Sequence, residues 1–150
     1  VPLLRKDFIA NEYQILETRA HQADIVLLIA AGLEQKLLTR LMSFVESLGM
    51  TAFVETHSLD EIKFASSIGA KMVGINARDL TTFETDRRLF EQLVNELPEG
   101  CVKVAESAVR DSSDVRAYAE AGADCVLVGE ALVTGDTKAL LESFSQIPKA

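Results

Sequence analysis

Short apolar runs alternate with longer amphipathic stretches along the whole chain. A run that is apolar at successive positions is apolar on both faces, as a strand buried in a parallel sheet must be. On that criterion strands are predicted at Pro2 to Arg5, Asp24 to Ile29, Thr51 to Glu55, Lys71 to Asn76, Val102 to Ala105 and Asp124 to Val128. Between them the apolar period changes to three and four. Leu33, Leu37, Leu38, Leu41, Phe44, Val45 and Leu48 make one stripe on a long helix, and Leu89, Phe90, Leu93, Val94 and Leu97 repeat the pattern.

The punctuation agrees with this alternation. Ser58-Leu-Asp-Glu61 is a capping box, with the Ser58 hydroxyl accepting from the Glu61 amide and the Glu61 side chain reaching back to the Ser58 amide. Gly49, Gly69 and Gly122 each follow a helical stretch and precede a strand, where a left-handed residue ends a helix. Ala23-Asp-Ile-Val-Leu-Leu-Ile, Ala70-Lys-Met-Val-Gly-Ile-Asn and Ala123-Asp-Cys-Val-Leu-Val-Gly align as a weak internal repeat, roughly two βα units apart. No linker or low-complexity segment interrupts the series, so residues 1–150 read as a single domain.

Repeated βα units build either an open doubly wound sheet or a closed (β/α)8 barrel. Neither a G-x-G-x-x-G nor a G-x-x-x-x-G-K-[ST] pattern occurs, which removes support from the nucleotide-binding open sheets. Polar residues follow nearly every strand: Lys6 and Asp7, Glu55 and His57, Asn76 and Arg78, Glu106 and Ser107, Gly129 and Glu130. In a barrel these ends converge on one mouth, the location of active sites in that fold. The expected class is therefore an α/β protein of TIM-barrel type. It is expected to be incomplete, because six βα units fall short of eight and the chain falls short of the ~250 residues typical of the fold. The missing units are expected to precede Val1.

Composition narrows the partners. With 23 acidic and 15 basic residues the formal charge is −8, which disfavours phosphate backbones and anionic lipid. Neither a nucleic acid nor a membrane is expected as a partner. The longest apolar run, Ile25 to Leu33, is nine residues, well short of the ~20 that span a bilayer. No basic-then-apolar signal pattern opens the chain. Cys101 and Cys125, without a CxxC pair or a neighbouring His, read as reduced, buried small hydrophobes, and no metal site is expected.

Several strand-end residues have candidate chemistry. Lys6 can act as a general acid or bind an anion, or it can be a solvated loop lysine. Glu55 terminates an apolar run and reads either as a general base or substrate contact, or as a structural partner of Lys6. Asn76 and Arg78 are placed to hold a substrate, the latter through its guanidinium fork, or else to tie down the loop from Ala77 to Thr85. Glu106 and Ser107 follow their strand in the same manner. Gly129 and Glu130 open a short helix whose free amides suit a phosphate. His57 reads as a supporting residue at a helix cap and His21 as a favourable partner of a helix dipole, both outside the site. Together these point to an enzyme acting on a small sugar-phosphate-like anion.

Leu3-Leu-Arg-Lys-Asp-Phe-Ile9, Phe53-Val-Glu-Thr-His57, Gly74-Ile-Asn-Ala-Arg-Asp-Leu80, Ala105-Glu-Ser107 and Val126-Leu-Val-Gly-Glu-Ala-Leu132 closely resemble, in order, segments of the indole-3-glycerol phosphate synthase family. The resemblance implies strands three to eight of that family's barrel. It implies a cytoplasmic lyase of tryptophan biosynthesis. Its reaction closes an indole ring on 1-(2-carboxyphenylamino)-1-deoxyribulose 5-phosphate with loss of carbon dioxide and water, without metal or organic cofactor. By resemblance, Lys6 is the general acid at the sugar carbonyl and Glu55 the acid-base partner in dehydration. Asn76 and Glu106 orient substrate, Arg78 holds the anthranilate end, and Ser107 with the backbone around Gly129 and Glu130 cradles the phosphate.

The resemblance has gaps. Ala108 stands where the family usually has Gly, a strained choice if that position needs positive φ. Ala77 replaces a usual Asn, and the family's strand-one segment has no counterpart. The chain alone is accordingly expected to be nearly inactive, and to self-associate or be complemented through exposed barrel edges. Two alternatives stay open: another phosphate-binding barrel isomerase, and a non-catalytic barrel fragment.

Overall fold

The computed structural model describes residues 1–149. Its strands, β1 (Leu4–Arg5), β2 (Ile25–Ile29), β3 (Thr51–Thr56), β4 (Met72–Asn76), β5 (Val102–Glu106) and β6 (Cys125–Leu127), form one sheet in chain order. Every neighbouring pair is parallel. Helices α1 (Glu12–Ala20), α2 (Gln35–Ser47), α3 (Leu59–Ser67), α4 (Arg88–Leu93) and α5 (Ser112–Glu120) make the crossovers, and α6 (Glu130–Thr134) and α7 (Thr137–Ser145) follow β6. The result is a six-stranded portion of a (β/α) barrel. No helix among the described residues is long and apolar enough to cross a membrane.

The predicted strands all appear, with instructive differences at their ends. The two edge strands are shorter than their apolar runs: β1 loses Pro2 and Leu3, and β6 loses Asp124 and Val128. Each has a single neighbour, so its ladder is held from one side only. The central strands β3 and β5 run one residue further than predicted: Thr56 pairs with Ile75 of β4, and Glu106 pairs with Asn76 and Leu127 on its two sides. The predicted stripe Leu89 to Leu97 divides into α4 and a 3-10 turn over Val94–Glu96.

Side-chain alternation along the strands separates two apolar layers. Outward-facing Val26, Leu28, Ala52, Val54, Val73, Ile75 and Ala105 pack with Leu38, Leu41, Val45, Ile62, Phe90 and Tyr118 from the helices. Each fully buried Val, Leu, Ile or Phe side chain among them contributes roughly 1.5–3 kcal/mol. On the inner face Leu27, Ile29, Phe53 and Val104 form a smaller cluster, joined by Leu4, Met72 and Leu127. Thr56 belongs to the outward set and donates to the Gly74 carbonyl at 2.7 Å, which ties β3 to β4.

The internal repeat has a physical reason. Asp24, just ahead of β2, accepts from the Leu3 amide at 2.7 Å, and Asp124, just ahead of β6, accepts from the Lys103 amide at 2.8 Å. In both places the aspartate satisfies the backbone of the preceding strand at the end where pairing starts. One expectation fails at the same end of the sheet: Cys101 is buried, but Cys125 is exposed because it opens an edge strand.

Gly74 is where the inner face is tightest. A Cβ there would overlap Glu106 Oε1 and come 2.8 Å from two ring atoms of Phe53. Phe53 and Glu106 are each 1% exposed and have little room to move. Gly74→Ala is expected to destabilise the protein by about 1–3 kcal/mol. Urea denaturation measures this, and an unchanged midpoint would contradict the close approach.

Candidate active site

Five of the sequence-predicted residues meet where the strands end. β3 delivers Glu55, β4 Asn76 and β5 Glu106, all buried, while Lys6 follows β1 and Ser107 follows β5. Glu55 lies on the same side of β3 as Phe53, two residues earlier, and so projects from the inner face. Asn76 donates from Nδ2 to Glu55 Oε1 at 2.9 Å. Its own carbonyl oxygen accepts from the Ser107 hydroxyl at 2.8 Å and from the Arg78 amide at 3.0 Å. Asn76 thus links three strand ends. Both ends of its amide are engaged, and the contact to the Arg78 amide ties down the start of the following loop, the second of the two readings given for it.

Lys6 Nζ stands 3.8 Å from Glu55 Oε2. Its side chain is half-exposed and that of Glu55 is 1% exposed, so the lysine reaches the open cleft while the carboxylate stays below it. Glu106 has no hydrogen-bond partner for either oxygen, and neither does Glu55 Oε2. Two buried carboxylates cannot hydrogen-bond to each other while both are anions. A proton on Glu106 relieves the repulsion between the two. Burial first, and then the charge of Glu55, push the Glu106 pKa up to about 9. Burial acts on Glu55 the same way but is outweighed there by contacts with His57, Asn76 and Glu106, and its pKa falls below the ordinary value. The two values are thus driven apart, Glu55 downward and Glu106 upward.

His57 was expected to stay outside the site and does not. Its Nε2 is 3.3 Å from Glu55 Oε1 and its Nδ1 is 3.5 Å from Glu61 Oε2. The spacing contained the signal: His57 is two residues beyond Glu55, on the same face of the extended chain, and four before Glu61, one helical turn away. The cap also differs in detail. Ser58 accepts from the Glu61 amide at 3.3 Å as predicted, but the Glu61 carboxylate accepts from the His57 amide at 2.8 Å rather than from that of Ser58.

Above these groups lies an open cleft of about 1200 Å3 whose lining includes Lys6, Arg78, Ser107, Ala108, Gly129 and Glu130. Arg87 and Arg110 also line it. Although the chain is acidic overall, four basic side chains therefore surround this mouth. Arg78 is not free: it donates to Glu130 at 3.0 Å, so two residues expected to contact substrate contact each other. Gly129 precedes α6 with no side chain capping the helix.

The turn after β5 is held in an unusual conformation. Ser107 and Ala108 have φ of 66° and 55°, so the strain expected at Ala108 is present, at a cost of about 1–2 kcal/mol relative to glycine there. α5 braces this turn. The Tyr118 hydroxyl donates to the Ser107 carbonyl at 3.2 Å, and buried Asp114 accepts from the Arg110 amide at 3.0 Å and from Arg87 at 2.5 Å. Among the described residues no group of three or more metal-ligating side chains is arranged to hold a metal ion.

Fold and site define a parallel (β/α)-barrel protein with its ionisable groups gathered at the C-terminal strand ends, the catalytic face of such barrels. The profile of the indole-3-glycerol phosphate synthase family matches residues 1–144, and the chain belongs to that family. It is 54% identical over 144 residues to the indole-3-glycerol phosphate synthase of Leifsonia xyli subsp. xyli, covering 96% of this chain and 55% of that protein. It is 58% identical over 134 residues to the enzyme of the same name from Beutenbergia cavernae, covering 89% and 50%. The chain thus spans about half the length of the curated relatives it matches. In structure it is similar to 3-hexulose-6-phosphate synthase from Salmonella typhimurium, with TM-score 0.79, 17% identity, and 97% and 72% of the two chains covered. N-acetylmannosamine-6-phosphate 2-epimerase from Clostridium perfringens follows at TM-score 0.69, also 17% identical, with 93% and 62% covered. At such identities these two likenesses concern the fold alone.

The divided carboxyl pair makes stability depend on pH. The Glu106 pKa rises from an ordinary 4.5 to about 9 on folding, so folding takes up a proton between those values and Glu106 costs stability as pH rises through that window. Glu106→Gln removes the uptake. In the intact protein the variant is expected to melt above the wild type near pH 8 and close to it near pH 4. Thermal denaturation reads the difference, and a gap independent of pH would mean that Glu106 is ionised in the fold.

Proposed function

We propose that the protein containing this chain is an indole-3-glycerol phosphate synthase. It would close the indole ring on 1-(2-carboxyphenylamino)-1-deoxyribulose 5-phosphate, with loss of carbon dioxide and water, in the cytoplasmic synthesis of tryptophan. The single observation that supports this reading best is the acid-base set at the strand ends: Lys6 at 3.8 Å from a buried, ionised Glu55 that is itself paired with a neutral Glu106. Family membership over residues 1–144 stands behind it and leaves the isomerase alternative without support.

The geometry supports the roles that the family resemblance implies. Lys6 reaches the open cleft and donates a proton to the sugar carbonyl oxygen as the ring carbon attacks, so that the alkoxide never develops full charge. Loss of carbon dioxide restores the aromatic ring. Glu55, ionised although buried, accepts a proton during dehydration, and Asn76 fixes its orientation. Glu106 is neutral and can donate to the carboxylate or to the intermediate. Arg78 exchanges Glu130 for the anthranilate carboxylate. The phosphate takes the positive-φ turn of Ser107 and Ala108 together with the backbone at Gly129 and Glu130, where amide donors and nearby Arg110 suit an anion.

Indole fluorescence in the intact protein tests this directly. Wild type is expected to form indoleglycerol phosphate, and Lys6→Ala and Glu55→Gln to lower kcat by ~10²–10⁴. No product from wild type would sink the proposal; full activity of Lys6→Ala would remove only the role of that lysine.

A further inference from the structure

His57 and Glu61 have no part in the chemistry described above, yet they stand directly behind it. Glu55 presents two oxygens. Oε1 is contacted by Asn76 at 2.9 Å and by His57 Nε2 at 3.3 Å, whereas Oε2 faces Lys6 at 3.8 Å and has no hydrogen-bond partner. The other edge of the imidazole lies 3.5 Å from Glu61, whose carboxylate is fixed in turn by the His57 amide at 2.8 Å and the Ser58 hydroxyl at 3.0 Å. The ring therefore stands just ahead of the α3 cap, with a carboxylate at each edge.

We propose that His57 is a positioning residue for the reaction, clamped between Glu61 and Glu55 so that Glu55 Oε1 is fixed and Oε2 alone is offered to Lys6 and the cleft. The inference rests on the functional reading above and deepens it, since the clamp decides which oxygen does the proton transfer. Neither ring nitrogen has an in-line acceptor, so the ring is held by charge in a desolvated pocket and not by directed hydrogen bonds. Burial lowers the imidazole pKa, but Glu55 and Glu61 outweigh it and raise the value to about 9. The other ionisable groups facing the clamp are Lys6 and Glu106, across Glu55, and Asp79 from the loop after β4. With Glu106 neutral, Lys6 and His57 balance Glu55 and Glu61. Removal of the imidazolium takes a positive charge from Glu55, raises its pKa, and so moves the acidic limb of the rate profile to higher pH.

The test uses the intact protein and two variants, His57→Gln and Glu61→Gln. For His57→Gln, kcat is expected to fall about tenfold with KM changed less than about twofold, and the acidic limb of kcat to move up by about one pH unit. Glu61→Gln removes a negative charge further from Glu55 while the ring stays protonated on the acidic side, so the limb is expected to move slightly to lower pH. Histidine-labelled NMR of the wild type reads the clamp without turnover or mutation: the His57 ring is expected to stay doubly protonated until about pH 9. An unshifted pH profile in His57→Gln, or a wild-type His57 that titrates near its ordinary 6.5, would overturn the proposal. Should wild type make no indoleglycerol phosphate, the functional reading fails, and the ring titration still decides whether the clamp exists.

Discussion

One buried carboxylate, Glu55, sets the terms for everything around it. It is 1% exposed at the inner end of β3, and a charge taken so far from water is tolerated only where partners replace its hydration. Those partners come from three separate pieces of chain: Lys6 after β1, Asn76 on β4, and His57 just ahead of α3. The parallel register makes this possible, because Glu55 pairs with Gly74 across β3 and β4, and Asn76 with Glu106 across β4 and β5. Gly74 completes the arrangement by having no side chain where Glu106 folds over the strand.

Much of this was legible in the linear sequence, for physical reasons. Strands buried on both faces are apolar at successive positions, so Ala52-Phe-Val and Val73-Gly-Ile announced themselves, and a carboxylate or amide directly after such a run has few places to go but inward. The ends of β1 and β6 were not legible, because apolar character does not reveal whether a strand has one neighbour or two. Cys125 was misjudged for the same reason. His57 was missed because a local reading assigns it to the helix cap; only the three-dimensional turn from β3 into α3 lets it serve the cap and Glu55 together. The Arg78–Glu130 contact, 52 residues apart in sequence, has no local signature at all.

The net charge of −8 belongs to the whole chain and not to the mouth. Lys6, Arg78, Arg87 and Arg110 collect around one cleft, and Asp114 holds two of those arginines in place from its buried position on α5. The same helix, through Tyr118, supports the turn at Ser107 and Ala108. Backbone strain at these two residues is stored at the edge of the proposed phosphate site, where a rigid scaffold can sustain it. Ala108 accepts that conformation despite its Cβ, at a cost in stability.

Everything above depends on the carboxyl pair being divided, with the proton on Glu106 and the charge on Glu55. Infrared difference spectroscopy of the intact protein near pH 7, wild type against Glu106→Gln, tests this most directly. The account requires a protonated-carboxyl carbonyl band in the wild type that disappears in the variant, with the carboxylate bands unchanged. Loss of a carboxylate band instead would show that Glu106 is an anion in the fold, and would contradict the division of roles on which the site is built.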